Sequence, residues 1–394
     1  MLQTISVRGY RSLRDVVLPV GRLTVVTGAN GTGKSSLYRA LRLLADCGRG
    51  EVVGSLAREG GLQSALWAGP EQLSGSRRTG RVEGTLRTRS ISLEMGYATD
   101  DFGYLVDLGL PQMAGIESVF GRDPEIKREL IFVGPVPRAN ATLVRRAGPL
   151  AEARAQPGPA HRDGYDRLTR GLPTYRSVLS EFAHPGELPE LSEVRNRLRS
   201  WRFYDGFRVD AGAPARRPQV GTRTPVLADD GSDLAAAIQT ILEAGSGAFS
   251  DELRATFADA FDGAEISVVV TEGLFDLAVR QPGMLRALRA AELSDGTLRF
   301  LLWAAALLSV QPPSLMVLNE PETSLHPDLV EPLARLIRSA SRVTQVVVVT
   351  HSAALLAFLD TEDTQRIELY KDCGETQVVG QTLLTAPPWD WGSR

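Results

Sequence analysis

A chain of 394 residues, 43% of them hydrophobic, has material for a sizeable core and exceeds the roughly 100–200 residues of one ordinary domain. Its formal net charge of -3 excludes a surface that is basic throughout, so any nucleic-acid contact must be regional, and its two cysteines, Cys47 and Cys373, exclude a disulfide scaffold and fit no zinc spacing. The start, MLQTISVRGYRSL, lacks the order of a signal peptide, and the longest apolar run, Phe300 to Val310, is about half of what spans a bilayer; the expectation is a cytoplasmic protein without a membrane segment.

Residues 2 to 8 and 22 to 27 read as strands, and the second runs into a glycine-rich loop and an apolar helical stretch, Ser35 to Ala45. The loop, Gly28 to Ser35, spells GANGTGKS and satisfies the phosphate-loop pattern G-x-x-x-x-G-K-[ST] in the strand–loop–helix context that the pattern requires. Lys34 is one of only three lysines beside 41 arginines, so a lysine motif is not a product of this composition. In such a loop glycines let successive N–H groups turn inward around phosphate oxygens, and the helix N-terminus adds a favourable field. Gly28, Ala29, Asn30, Gly31, Thr32, Gly33, Lys34, Ser35 and Ser36 are the candidate nucleotide contacts, with Lys34 reaching the β and γ phosphates and the Ser35 hydroxyl a ligand of Mg²⁺.

Short strand-like runs follow at Val82–Arg87, Ser90–Tyr97, Gly103–Asp107, Glu129–Val133 and Ala141–Val144, separated by Gly, Pro and Asp, and predict an antiparallel, β-rich lobe. Residues 148 to 164 and 211 to 225 are loops rich in Pro, Gly and Ala that bracket helical stretches around 165 to 204, an insertion in the larger fold. Within it Arg195, Arg197, Arg199, Trp201, Arg202, Phe203 and Tyr204 suggest a patch in which arginines bind phosphates and aromatics stack on bases; a solvated helix face is the plainer reading. Ser232 or Asp233 is placed to cap a helix carrying Leu234, Ala237, Ile238, Ile241 and Leu242. Beyond a strand near Glu265–Val270 come a helix 297–309, a strand 315–318, a helix 326–339, a strand 345–350 and a helix from Ser352, in which LMVL and QVVVV have the unbroken apolar character of buried parallel strands.

The strand 315–318 ends in Asn319-Glu320, where phosphate-loop ATPases carry an Asp followed by a catalytic Glu. At a strand's C-terminal edge side chains face the nucleotide crevice, so Glu320 is the candidate general base for a water attacking the γ-phosphate. Asn319 can hold a metal-bound water by a hydrogen bond but brings no charge, which points to slow hydrolysis or to a clamp that barely hydrolyses. Upstream, Leu293–Thr297 (LSDGT) sets Ser294 and Gly296 at a helix N-terminus suited to a γ-phosphate. Downstream, Pro321–Pro327 (PETSLHP) follows Glu320, and VVVVTHS ends a strand with His351, a candidate γ-phosphate sensor.

The order GANGTGKS, LSDGT, LMVLNEPETSLHP, VVVVTHS, with the N-terminal VRGYRSL, resembles the RecF, SMC and OLD-nuclease branch of ABC-type ATPases over roughly residues 1 to 50 and 225 to 360. The resemblance implies an α/β fold, a phosphate-loop NTPase head with a β-rich N-terminal lobe, a parallel-sheet core and a helical insertion. It divides the chain into residues 1–146, an insertion 147–225, and 226–394. It further implies ATP and Mg²⁺ as ligands, Arg8 and Arg11 near the nucleotide, and a homodimer in which LSDGT of each copy completes its neighbour's site. The partner it suggests is DNA or a nuclease. A Q-loop glutamine is not clear; Gln63 in GGLQSAL is the best candidate for the metal. About forty residues follow His351, too few for an appended nuclease domain, and no long heptad arms are present, so a bare ATPase head is expected. A non-hydrolysing ATP-dependent scaffold is the alternative, and a transporter subunit is disfavoured by the LSDGT sequence and the large insertion.

Overall fold

The first strand of the computed structural model, β1 (Leu2–Tyr10), forms a tight hairpin with β2 (Leu13–Pro19), in which Tyr10 pairs with Leu13 and Arg11 takes a positive φ of 48°. The structure describes residues 1–71, 92–111, 119–155, 164–182, 188–244, 247–382 and 384–392. They fall into two units: Met1–Gly21, Val26–Trp201 and Ile367–Arg394 form one, Arg22–Val25 and Arg202–Arg366 the other. Strand β3 (Leu23–Gly28) contributes residues to both.

In the first unit β3 runs into α1 (Lys34–Arg49), followed by the short helices α2 (Val52–Arg58) and α3 (Leu62–Ala65). An antiparallel meander then unfolds through β4 (Leu93–Thr99), β5 (Phe102–Gly109), β6 (Glu125–Val133), β7 (Thr142–Ala147), β8 (Leu150–Arg154) and β9 (Tyr165–Thr169), joined to the first hairpin in the order β2-β1-β4-β5-β6-β7-β8-β9. Every residue of β4 is buried, so both faces of the sheet's centre are covered. Two helices, α4 (Val178–Glu181) and α5 (Pro189–Ser200), follow, and α5 approaches α1 so closely that a Cβ at Gly48 would stand 2.5 Å from that of Leu198.

The β-rich lobe is as expected over β4 to β7, while Val82–Arg87 and the start of Ser90–Tyr97 lie outside the described residues. Two readings are corrected. The stretch 148–164 contains β8, whose Ala151 and Ala153 are buried, and the supposed helical start at 165 is β9. Composition marked the Gly-Pro-Ala loop between them; hairpin pairing to β7, a tertiary effect, makes the strands.

The second unit opens with β10 (Arg202–Tyr204) and a small antiparallel sheet of β11 (Gln219–Val220), β12 (Glu265–Thr271), β13 (Leu274–Arg280) and β14 (Leu288–Arg289). Against it lie α6 (Leu234–Leu242) and α7 (Ala248–Ala260). Asp233 sits at the N-cap of α6, but its carboxylate accepts from the Ala228 N–H rather than from the helix. The apolar run Phe300–Val310 falls mostly in α8 (Asp295–Leu307), whose residues from Thr297 onward are buried nearly all round, Arg299 excepted. Among the described residues no helix is long and apolar enough to cross a membrane. Then β15 (Leu315–Asn319), α9 (Val330–Ala340), β16 (Gln345–Val349) and α10 (Ala353–Leu359) alternate, with β10, β15 and β16 parallel and Val346 donating to the Arg22 carbonyl at the entry to β3. The chain returns to the first unit in β17 (Thr364–Asp372) and β18 (Glu375–Val378), a hairpin turned at Cys373 and Gly374, both with positive φ. Cys47 is buried, and burial holds its thiol well above the usual range; Cys373 is only half-buried.

One buried carboxylate organises the first unit. Glu129 on β6 is wholly enclosed and accepts from the Arg146 guanidinium at 3.0 Å, the Tyr104 hydroxyl at 2.7 Å, the Ser177 hydroxyl at 2.5 Å and the Val178 N–H at 3.0 Å. Arg146 also donates to the carbonyls of Gly148, Pro173 and Arg176. Four segments thus meet on one ion pair, and burial together with Glu129 raises the Tyr104 phenol well above its ordinary pKa. Breaking such a pair strands the other charge in low dielectric. Glu129→Ala is expected to cost about 3–5 kcal/mol in urea unfolding, and a joint Glu129→Leu, Arg146→Met replacement to recover only the part due to the stranded charge, since the polar groups that both side chains serve are left unpaired. A single-mutant loss no larger than that of the double variant would show that the pair does not hold the unit together.

Candidate functional site

The phosphate loop leaves β3 at Gly28, where φ is 143° and a Cβ would stand 2.4 Å from the Leu369 carbonyl oxygen. Gly31 and Gly33 have φ of 81° and 108°, and at Gly33 a Cβ would come within 2.2 Å of the Thr376 hydroxyl. Glycine is therefore required at 28 and 33 by the close approach of β17 and β18, not only by torsion. No side chain caps α1, whose N-cap is Gly33, so the helix offers its first N–H groups to an anion. The buried Lys34 ammonium donates to the carbonyls of Gly28 at 2.7 Å and Ala29 at 3.0 Å, and the Thr32 hydroxyl donates to Ala29. These bonds hold the ammonium within the loop and leave one of its three donors. Ala29, Asn30, Gly31 and Ser35 are exposed, and Ser36 half-exposed.

The hairpin turn before β2 abuts this loop. The Thr376 hydroxyl lies 2.8 Å from both the Ser12 hydroxyl and the Thr32 carbonyl. Arg11, next to Ser12, pairs with Glu59 at 2.8 Å and lies over the Tyr10 ring. Burial and the Glu59 carboxylate raise the Tyr10 phenol above its ordinary range. Arg8, further along β1, is held by Asp15 at 2.9 Å, Glu94 at 3.2 Å and the Trp391 ring. Gln63 is exposed on α3, and the same segment pairs its backbone with Gly9 and Arg11.

In the second unit the parallel strands deliver polar groups at their C-terminal ends. Glu320 follows β15 with a φ of 48°, a conformation an L-residue adopts only when its surroundings impose it. Here the Glu320 N–H donates to the Val349 carbonyl at 2.7 Å, and one Glu320 oxygen lies 3.1 Å from His351 Nδ1. Thus Glu320 and His351, thirty-one residues apart, are neighbours because β15 and β16 are paired in register, Asn319 opposite Val349. The Thr350 hydroxyl donates to Glu322, tying the loop after β15 to the residue before His351, and Ser352 caps α10. The Asn319 amide donates at 2.6 Å to Asp205, the residue that follows β10.

The LSDGT segment leads into α8. The Ser294 hydroxyl accepts from the Thr297 N–H, and a Cβ at Gly296 would meet nothing within 4 Å on an ordinary helical backbone, so packing within the chain does not demand a glycine there. Beneath it lies Arg216, a residue the sequence did not single out. Its buried guanidinium donates to the carbonyls of Val209 at 2.8 Å, Ala290 at 3.2 Å and Leu293 at 2.7 Å, and to Asp295 at 2.5 Å. Asp295 sets a negative charge in the first turn of α8, and Arg216 balances it. Nothing local in APARRPQ announces this role, because its partners around α8, Ala290, Leu293 and Asp295, lie more than seventy residues away. Arg299, one turn into α8, donates to the Ser324 carbonyl.

One candidate surface is corrected. Trp201, Phe203 and Tyr204 are at most 1% exposed, Trp201 against Tyr97 in the first unit, Tyr204 against Phe207 and Trp303 in the second. Bases cannot stack on them. Arg197 pairs with Glu193 along the helix. The run reads as a solvated helix face followed by a buried strand.

The family described as "AAA domain, putative AbiEii toxin, Type IV TA system" matches residues 23–357. An OLD nuclease from Thermus scotoductus is 43% identical over 44 residues, which cover 11% of this chain and only 8% of that protein. The SMC head domain from Thermotoga maritima covers 97% of this chain and 99% of its own at 15% identity and a TM-score of 0.45. An Smc head domain derived from Pyrococcus furiosus, bound to the C-terminal domain of ScpA, covers 98% and 97% at 14% identity and a TM-score of 0.49.

Arg216→Ala is expected to lower stability by about 2–3 kcal/mol in chemical unfolding, because buried carbonyls lose a charged donor. Asp295→Asn, altering an exposed partner, should cost under about 0.5 kcal/mol. Equal losses for the two variants would show that Arg216 acts on Asp295 alone and not on the backbone before α8.

Proposed function

The chain belongs to the AAA-domain family, and on that premise we propose that it binds ATP with Mg²⁺ and hydrolyses it slowly in a composite site closed by two copies. The fold is that of an α/β phosphate-loop NTPase, an ATPase-type domain. The observation that carries the catalytic reading is the Glu320–His351 pair at 3.1 Å, set at the C-terminal edge of parallel strands with Glu320 in a strained backbone conformation.

In this reading the N–H groups of Gly28 to Ser36 and the Lys34 ammonium hold the phosphates. The Ser35 hydroxyl takes a place on Mg²⁺, and Gln63 is the second candidate there. Arg8 and Arg11 border the nucleotide; both are anchored by carboxylates, so they contribute field rather than a mobile clamp. Mg²⁺ supplies charge neutralisation for the γ-phosphoryl oxygens. Glu320 takes the proton of the attacking water, and His351, hydrogen-bonded to it, senses the γ-phosphate. Ser294 and Gly296 of one copy complete the neighbour's triphosphate pocket, which accounts for a glycine at 296 that packing does not require. Opening and closing of such a dimer switches a partner, DNA or a nuclease, as the short likeness to an OLD nuclease suggests. A cytoplasmic location fits this role.

The opposing reading, a scaffold that binds ATP without hydrolysing it, is favoured by the uncharged Asn319. Turnover and oligomeric state of three variants divide the two. Lys34→Ala should weaken ATP binding by roughly two orders of magnitude, about 2.7 kcal/mol. Glu320→Gln should retain binding, lose roughly 10²–10⁴ in turnover and accumulate as a dimer in sedimentation. Wild-type turnover no faster than that of Glu320→Gln would favour the scaffold. Gly296→Asp should bind ATP normally and remain monomeric; a Gly296→Asp dimer would remove the composite site.

A further inference from the structure

Asn319 occupies the position at which this kind of strand ordinarily ends in a carboxylate, yet a carboxylate is present one strand away. Strand β10 pairs with β15 in parallel with Arg202, Phe203 and Tyr204 opposite Met316, Val317 and Leu318, and the same register continued by one residue sets Asp205 opposite Asn319. The Asn319 Nδ2 donates to Asp205 Oδ1 at 2.6 Å. Gly206, with a φ of 71°, turns the chain away immediately afterwards, so Asp205 is left exposed at the C-terminal edge, beside Asn319 and Glu320.

We propose that Asp205 supplies the negative charge that Asn319 lacks, acting on the hydrated Mg²⁺ of the bound nucleotide, while Asn319 fixes its orientation. The proposal rests on the ATP reading above. A carboxylate offers about four lone-pair positions, so one hydrogen bond from Asn319 leaves both oxygens able to accept from metal-bound water. The nearby carboxylates have other engagements: Glu320 is paired with His351, and Glu322 accepts from Thr350. Among the described residues no three His, Cys, Asp or Glu side chains cluster as a metal cage. Mg²⁺ keeps several waters and is held through one or two carboxylates and the phosphates, so a single carboxylate is enough for the role. Charge and aim, borne by a single side chain in an Asp-Glu pair, are here divided between two strands. Asp205 is thus a positioning residue for the metal's water shell and not a proton carrier.

The test is a Mn²⁺ titration of the full chain followed by electron paramagnetic resonance, with a non-hydrolysable ATP analogue present, in wild type, Asp205→Asn, Asn319→Asp and the double exchange Asp205→Asn/Asn319→Asp. Asp205→Asn should weaken Mn²⁺ binding by about tenfold or more, and the double exchange should return to within about threefold of wild type. Analogue binding in EDTA should be equal in all four, which a general loss of structure would not allow. Should Asp205→Asn not fold, Asp205→Ser, which removes the same charge from the exposed edge, is read in its place with the same loss of Mn²⁺ affinity expected. Unchanged Mn²⁺ affinity in Asp205→Asn, or in Asp205→Ser where it stands in, or a double exchange no better than Asp205→Asn, overturns the role of Asp205 alone. A wild-type chain that binds no analogue in EDTA overturns the ATP reading and this inference with it.

Discussion

The register of β10, β15 and β16 is the constraint on which the chemistry of the second unit depends. Their apolar residues are buried on both faces, so a slip of one residue would draw a polar strand-end residue such as Asp205 or Asn319 into the apolar interior. Because the register is fixed by burial, the first polar residues past each strand, Asp205, Asn319 with Glu320, and Thr350 with His351, arrive side by side. The hydrogen bonds among them are consequences of packing elsewhere. The strained φ of Glu320 follows in the same way: its N–H bond to Val349 extends the pairing of β15 with β16 one step beyond the strand, and the turn into Pro321 must accommodate it.

Two arginines show how the rest of the molecule positions backbone. Arg146 and Arg216 are both buried, and both spend most of their donors on carbonyl oxygens and one on a carboxylate. A planar fork with five donors suits that task, and a lysine could not gather the same set of carbonyls. Among the described arginines these two are the buried ones, and burial is what distinguishes them.

The phosphate loop, the strand–helix alternation after residue 295 and the burial of α8 were legible in the sequence, because each is written in contiguous residues: a glycine pattern, an unbroken apolar run, a capping serine. Strand β2 and the β8–β9 hairpin were not. LRDVVLP and LAEAR carry charges within short runs, and only pairing with β1 and β7 makes strands of them. The aromatic run at 201–204 misled for the complementary reason: residue types that stack on bases are also those that fill cores, and sequence alone does not give burial. Asp205 and Arg216 were invisible because Asn319 lies 114 residues from the one and the carbonyls before α8 about 75 from the other.

The central proposal, that the polar ends of β10, β15 and β16 respond to the Mg²⁺ of a bound nucleotide, is tested most directly by backbone hydrogen exchange of the full chain with a non-hydrolysable ATP analogue, in EDTA and then in Mg²⁺. The account predicts slowed exchange at residues 28–36 in both conditions, and slowed exchange at 204–206, 319–323 and 350–352 only when the metal is added. Protection confined to residues 28–36 in both conditions, with the strand ends unchanged, would contradict it.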